Sequence, residues 1–321
     1  MRYVAQRLLQ FCLVFIVVTF LVLAFTRIGS LDPARDLAGG VVTEAQIEQV
    51  KEDVPYLDDP LVVQYGYWLK DFVTGEWGRS YVLSQSVVDM FQQRMPSTIF
   101  IALWAIVLGL IIAVPVGVYS AYRRDRYFDR TTSLGSFATI STPPLVVAVI
   151  LLFVVVTRVD FFPSVGRSRY VAPWDSPLEH FKNFFIPALS LGIGLGAVWS
   201  RLLRADMILA LQSDAILMAR SKGISPQRIL WVHALRAATL SLMTSVALQM
   251  SALLGGAVVA ETFFGPKGIG DRLLVAIQQN DLLVIQAIAA IVTIFVVVAN
   301  MIVDLLYAVV DPRIRAVRSL G

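Results

Sequence analysis

Apolar residues run without a charge through six long stretches of the chain. None of the six contains Asp, Glu, Lys or Arg, and each approaches or exceeds the roughly 20 residues that a helix needs to cross a hydrocarbon core. The runs lack the two-residue alternation of a membrane barrel, so helices are the expected spanning elements. The pattern predicts an all-α membrane protein with six transmembrane helices, over residues 8–26, 97–122, 134–157, 184–200, 237–260 and 282–303.

Composition and the first run support this class. Hydrophobic residues make up 57% of the chain and charged residues 16%, against about 25% charged in soluble proteins. Arg2 and Arg7 precede the first run as in a signal peptide, but its apolar core is too long and no small-x-small site follows Phe25. The run is therefore expected to stay as a helix. The single Cys12 lies inside it, which excludes an intrachain disulfide.

Basic residues are divided unevenly between the segments that connect the predicted spans. Alternate segments, starting at the amino terminus, hold 15 of the 27 Lys and Arg residues and 6 of the 23 acids, which leaves 12 basic residues and 17 acids for the others. The short loop 123–130 carries four arginines, and short loops decide orientation. Both termini, this loop and the segment 212–236 are predicted to be cytoplasmic.

One sizeable segment, residues 28–96, is predicted to lie outside the membrane between spans one and two. Thr43 and Gln46 form a capping-box pattern for a helix through residue 51, a second helix is expected from Asp59 to Gly75, and a third over residues 85–94. On the second, one apolar face is predicted: Leu61, Val62, Tyr65, Trp68, Leu69 and Phe72. The segment is either a platform for an external partner or a rim that covers helix ends. The predicted organisation is thus 1–27, 28–96 and a five-helix core over 97–321.

The segment 212–236 is polar and basic, and it reads as two short helices. Ser213 is expected to cap the first helix, Gly223 to end it in the left-handed C′ position, and Ser225 with Pro226 to start the second. Ala215 and Ala219, four residues apart, predict a smooth helical face that sits against a partner. A simple connector between spans would not need two capped helices, which favours a docking element.

Polar residues near the spans are the other candidates for a function. Asn300 and Asp304 share a face of the last helix and suit a structural pair with a loop arginine better than a transport role. Glu261 is a candidate gate residue or a residue of the wet interface. Pro143 and Pro144 predict a kink or an irregular stretch in span three. A set of small residues inside span four favours close helix packing: Gly192, Gly194 and Gly196.

No catalytic motif is found in the sequence. A phosphate-binding Gly-x-x-x-x-Gly-Lys-Ser/Thr loop is missing, so no ATPase activity is expected from the chain itself. His180 and His233 are the only histidines, too few for a histidine-rich metal site. An ion-coupled secondary transporter would be expected to show internal repeats and charges near mid-membrane. An intramembrane enzyme would need a nucleophile, base or metal cluster in a span.

The motifs resemble the permease subunits of bacterial dipeptide and oligopeptide ABC importers, in the branch usually encoded first of two. The resemblance spans the chain and rests on the following segments: Ala219-Arg220-Ser221-Lys222-Gly223, Arg228-Ile229-Leu230-Trp231, His233-Ala234-Leu235-Arg236, Gln64-Tyr65, Trp68-Leu69, Gly75-Glu76-Trp77-Gly78, Arg94-Met95-Pro96-Ser97-Thr98, Glu261-Thr262-Phe263-Phe264, Gly268-Ile269-Gly270, Val303-Asp304-Leu305-Leu306-Tyr307 and Asp311-Pro312-Arg313-Ile314-Arg315. The chain departs from the family pattern at Leu217, Ser241, Lys267 and residues 30–33.

The resemblance implies a type I ABC importer permease in a bacterial inner membrane, and a set of partners. A second homologous permease would complete the pathway, two ATPase subunits would bind ATP and Mg and dock on the coupling segment, and an external binding protein would deliver a peptide. The residues that this implies for coupling are Asp214, Ala215, Ala219, Arg220, Lys222 and Gly223. The sequence leaves open a dipeptide, a longer peptide, nickel, heme or a glycan-derived peptide as cargo.

Overall fold

A computed structural model describes residues 2–27, 32–38, 43–164 and 166–310. Helices dominate these residues, with one two-stranded antiparallel hairpin and two π-helical turns. The elements are α1 Arg2–Arg27, α2 Pro33–Ala38, α3 Glu44–Asp53, α4 Leu61–Thr74, β1 Arg79–Ser80, β2 Gln85–Ser86, α5 Val87–Tyr122, α6 Tyr127–Ser141, α7 Pro144–Leu151, a π turn Leu152–Val156, α8 Pro177–Leu211, α9 Asp214–Ser221, α10 Pro226–Arg228, a π turn Ile229–Ala234, α11 Leu235–Phe264, α12 Ile269–Gln278 and α13 Leu282–Val310.

Six elements account for the predicted membrane spans. Five described helical stretches are long and apolar enough to cross a bilayer: Leu9–Arg27, Val87–Tyr122, Pro177–Leu211, Pro226–Met250 and Leu282–Met301. The sixth is a bent pair, Tyr127–Ser141 with Pro144–Val156, in which the helix axes differ by 108°. This bent pair covers the third predicted run, residues 134–157, and the irregular stretch predicted at Pro143 and Pro144 is confirmed.

The described residues form two compact units. The first contains the described residues up to 98 together with 267–301, and the second contains the described residues within 99–266 together with 302–310. In the first unit, α4 ends at Gly75 in the left-handed conformation, at φ 87°, as predicted. Along α4 and beyond it, aromatic rings contact one another in sequence from Tyr65 through Trp68 and Phe72 to Trp77. Val62, which belongs to the predicted apolar face, is 70% exposed.

One detail of the segment predicted to lie outside the membrane differs from expectation. Residues 85–94 are not a separate short helix, because Gln85–Ser86 forms β2 and α5 begins at Val87 and runs unbroken to Tyr122. The helix predicted from the capping box is present as α3. The Gln46 side chain of that box lies outside the described residues.

A buried ion pair holds α12 in the first unit. The guanidinium of Arg272 donates to the Asp281 carboxylate, and the side chains are 1% and 2% exposed. The Ser80 hydroxyl of β1 donates to the same carboxylate over 2.6 Å. Burial lowers the pKa of Arg272, and the charge of Asp281 opposes that shift. The sequence analysis did not identify this pair.

Helix α8 lies at the centre of the second unit, where it packs against α6, α7 and α11. Trp199 and Leu203 of α8 are completely buried in its largest apolar cluster. Close packing by glycines is confirmed at two of the three predicted positions. A Cβ on Gly192 would come within 3.1 Å of the Ala105 carbonyl, and one on Gly196 within 2.9 Å of the Ile112 side chain. Gly194, in contrast, has no neighbour within 4 Å of such a Cβ.

Candidate functional site

Helix α9 is the first element of the predicted coupling segment, and backbone hydrogen bonds define its end. Gly223 has φ 74°, as predicted. Its N–H donates to the Arg220 carbonyl over 2.9 Å, and the N–H of Ile224 donates to the Ala219 carbonyl over 3.2 Å. These two bonds form a Schellman motif, which satisfies carbonyls that a helix end otherwise leaves free. A side chain with a Cβ is penalised at this φ.

The start of α9 is formed differently from the prediction. Ser213 occupies the N-cap position, but its side chain accepts no hydrogen bond from the helix. Its hydroxyl instead donates to the Ala210 carbonyl at the end of α8, over 2.7 Å. Ser213 therefore fixes the turn between α8 and α9, and Asp214 supplies a negative charge in the first turn, where the helix dipole favours it.

One face of α9 is buried within the second unit. Ile216 and Ala219 are 4% and 7% exposed, and they belong to the same apolar cluster as Ile229 and Leu230. The prediction that Ala219 offers its small side chain to a partner is wrong, because this side chain faces the core of its own chain. Ala215 is exposed, so the two alanines do not form one docking face.

The opposite face of α9 is apolar and open. Leu217 is 67% exposed and Met218 is 60% exposed. The polar side chains predicted for coupling are exposed around them: Asp214, Arg220 and Lys222. Neighbouring exposed apolar side chains on a short polar helix are typical of a protein contact surface. We call this exposed face of α9, centred on Leu217 and Met218, the docking face.

The second helix of the segment is continuous with span five. Ser225 and Pro226 hold the N-cap and N1 positions, as predicted. The helix then passes through the π turn Ile229–Ala234 directly into α11, without a break. Trp231, Val232 and His233 of this turn are exposed, whereas Ile229 and Leu230 pack beneath α9. A displacement of α9 would therefore act on a helix that enters the membrane.

An ion pair that the sequence analysis missed joins α6 and α8 within the second unit. The Arg204 guanidinium donates two hydrogen bonds to Asp129, over 2.5 and 2.7 Å, and the Asp125 N–H donates to the same carboxylate over 2.8 Å. Bidentate pairs of this kind have well-defined geometry. Arg204 follows the apolar part of α8 by a few residues, a position that could have suggested a fixed partner.

The other predicted polar residues are not brought together. Glu261, in the last turns of α11, is completely buried, which contradicts its placement in a wet interface and leaves its gate role a prediction. Asn300 is exposed on α13. The side chain of Asp304 lies outside the described residues, so its pairing with an arginine stays a prediction. Among the described residues, no three His, Cys, Asp or Glu side chains are grouped to hold a metal ion.

The fold is that of a multi-pass helical membrane protein. A family model described as the inner membrane component of a binding-protein-dependent transport system matches residues 105–316, and one for the N-terminal part of such components matches residues 1–102. The chain belongs to this family of inner membrane permease components. The family indicated by the motifs is thus confirmed, and ATPase and binding-protein components are implied as partners.

Curated relatives match almost from end to end. A peptide transport system permease protein of Brucella abortus is 33% identical over 97% of this chain and 98% of its own length. A peptide ABC transporter permease protein of Sinorhizobium fredii is 30% identical over 98% and 99%. The glutathione transport system permease GsiC of Escherichia coli is also 30% identical over 98% and 99%.

A solved structure shares the fold. An inward-facing methionine ABC transporter, MetNI, matches with a TM-score of 0.53 and 18% identity, over 68% of this chain and 94% of that chain. This likeness supports the permease architecture that was predicted from the sequence.

Proposed function

We propose that this chain is one of two transmembrane subunits of an ATP-driven importer for di- or oligopeptides. The observation that carries the proposal is the match over nearly the whole chain to permeases named for peptide and glutathione transport. The second homologous permease completes the translocation pathway, and an external binding protein delivers the peptide. Two separate subunits bind ATP and Mg, since this sequence has no phosphate-binding loop of its own.

The docking face gives the proposal a physical mechanism. Leu217 and Met218 enter a groove on an ATPase subunit, and Arg220 and Lys222 at the rim contact its acidic or polar groups. Because Ile216 and Ala219 anchor α9 on Ile229 and Leu230, movement of the ATPase is passed to the helix that continues into α11. ATP-driven closure thus rocks the spans between outward and inward access.

Other functions from the sequence analysis fit less well. A secondary transporter would not need a binding-protein-dependent permease fold or an exposed docking helix. Import of nickel or another non-peptide cargo by the same architecture is the stronger alternative, and the cargo experiment separates it from peptide import.

Reconstitution of the complete transporter tests this function. We expect liposomes that contain both permeases and both ATPase subunits to import members of a mixed di- to pentapeptide library, measured by mass spectrometry, only with ATP inside and binding protein outside. The isolated chain is expected to hydrolyse no ATP. Import of nickel with no import of any peptide would refute the proposed cargo. ATPase activity of the purified chain alone would refute the proposal that separate subunits hydrolyse ATP.

The orientation of the chain is a further part of the proposal. Both termini and the loop 123–130 are placed in the cytoplasm, and residues 28–96 outside, on the basis of the charge asymmetry. In a Cys12→Ser background, a cysteine at Glu48 is expected to react with an impermeant maleimide in whole cells. A cysteine at Arg126 is expected to react only after the membrane is opened. Both positions are exposed, so the reverse pattern would invert the topology.

A further inference from the structure

A cavity of about 250 Å³ lies in the second unit, between α6–α7, α8 and α11, and it is open to the surface at Ile140 and Pro144, which are exposed. Each of these elements contributes lining residues from near its middle. Gly194 is at the middle of α8, Gln249 is at the middle of α11, and Thr142 is at the break between α6 and α7. The same three residues also lie near the middle of the uncharged runs 134–157, 184–200 and 237–260, and on this basis we assign the cavity to the middle depth of the membrane.

The amide of Gln249 faces this cavity without a hydrogen-bond partner among the described residues. Its side chain is half-buried. An amide offers two N–H donors and one carbonyl acceptor, and a polar side chain inside a span is costly unless something satisfies it. The three hydroxyls in the wall differ from it, because Thr139, Thr142 and Ser190 already donate to backbone carbonyls of their own segments. These hydroxyls can still accept hydrogen bonds, but among the described side chains of the wall only Gln249 has N–H donors available to a ligand.

The break in span three adds a backbone acceptor to the same wall. Pro144 has no N–H, so it cannot satisfy the carbonyl of Ile140 four residues earlier, and both residues line the cavity. Non-helical backbone at membrane depth is tolerated where it lines a cavity, and broken helices of this kind provide binding groups in other transporters. The wall therefore offers both donors and an acceptor, as a peptide backbone requires.

Among the described residues that line the cavity, no side chain is charged; those not yet named are Val147, Leu191, Leu195, Val198, Ala252 and Leu253. A free carboxylate or ammonium would be unpaired there, at a large desolvation cost. A neutral amide group would be matched by Gln249 and the Ile140 carbonyl. We infer that this cavity is a mid-membrane subsite of the translocation pathway that binds neutral backbone amide groups of a peptide in transit.

This inference rests on the proposed function, and Gly194 provides the sharpest test. A Cβ at Gly194 meets nothing within 4 Å, so Gly194→Leu fills the cavity without a clash at the backbone. Gly135 of α6 has equally open surroundings but does not line the cavity, which makes Gly135→Leu the matched control. In the reconstituted transporter, Gly194→Leu is expected to lower the peptide import rate at least about tenfold, whereas Gly135→Leu stays within about twofold of the wild type.

Gln249 is tested by a parallel pair of variants. Gln249→Leu preserves the size of the side chain and removes its hydrogen bonds, so peptide import is expected to fall by about three- to tenfold, as for the loss of one or two hydrogen bonds. Gln249→Asn keeps an amide and is expected to recover part of the rate. A tripeptide that carries a diazirine-leucine is used as the probe of occupancy. After vanadate trapping and illumination, its adducts are expected on lining residues of α8 and α11 in the wild type and to be lost in Gly194→Leu.

The possible results distinguish a failure of the proposed subsite from a failure of the proposed function. If the wild-type complex imports peptide and Gly194→Leu and Gln249→Leu import it at the same rate, the subsite is refuted. The proposed function is then unaffected. Loss of the second permease from purified Gly194→Leu complexes would also overturn it, since the cavity would then be a subunit contact. A wild-type complex that imports no peptide overturns the proposed function and this inference with it.

Discussion

Aspartates at both Leu217 and Met218 are expected to abolish ATP-driven uptake while leaving the amount of chain in the membrane unchanged. The two side chains are the most exposed apolar groups of α9, and neither lies in a predicted span. Two unpaired carboxylates in a desolvated contact cost several kcal/mol, roughly a thousandfold in affinity. The measurements are uptake of a peptide substrate and the yield of ATPase subunits that co-purify with the tagged permease.

A matched control keeps this result specific to the docking face. Val62 and Val73 of α4 are exposed to 70% and 77%, so the double variant Val62→Asp and Val73→Asp adds the same charge at equally open positions. It is expected to retain the ATPase subunits. If the double variant Leu217→Asp with Met218→Asp also retains those subunits, the docking face does not contact them. Replacing Ala219 by a bulky residue is a poorer test, because that change disturbs the packing of α9 on its own chain.

Removing one partner of the buried Arg272–Asp281 pair is expected to produce the largest loss of stability of any single substitution in the first unit. Asp281→Ala leaves a guanidinium that is 1% exposed without its carboxylate, and it also removes the acceptor of Ser80. Breaking a buried pair in this way costs about 3–5 kcal/mol. The apparent unfolding midpoint in detergent is expected to fall by roughly 5–10 °C.

Two further variants show whether the unpaired charge is the cause. The double variant Arg272→Met with Asp281→Leu removes both charges and is expected to regain most of the lost stability, since well-packed apolar residues often replace a buried pair without loss. Lys182→Met breaks the partly exposed pair with Glu179, whose atoms are 3.0 Å apart, and is expected to cost less than about 1 kcal/mol. An equal loss from Lys182→Met would contradict the role of burial.

The sequence predicted well where helices end, because a helix end depends on a few neighbouring residues. Gly75 and Gly223 both take the left-handed conformation that ends a helix, because the signal lies in one residue and its immediate neighbours. Pro143 and Pro144 likewise marked the break in span three. The hairpin of β1 and β2 gave no comparable signal, since each strand has only two residues and too short a pattern to distinguish from a loop.

Tertiary relations were harder to predict than local ones. Four-residue spacing placed Ala215 and Ala219 on one side of a helix, but which side faces the core depends on Ile229 and Leu230. The pairing of Arg272 with Asp281 requires the turn in which Asn280 has φ 53°, and nothing in the spacing of the two charges indicates that turn. Gln249 could have been identified as a candidate site residue from the sequence, because it is a hydrogen-bonding amide inside the mainly apolar run 237–260.

The π turn at Ile229–Ala234 has a consequence for how the coupling segment can vary in length. A π turn holds one residue more than an α turn, so it absorbs an inserted residue while the helix on either side keeps its direction and its buried face. Loss of one residue here would tighten the turn to ordinary α geometry without rotating α11 away from its neighbours. The junction between the contact element and span five therefore accommodates a difference of one residue in chain length at little structural cost.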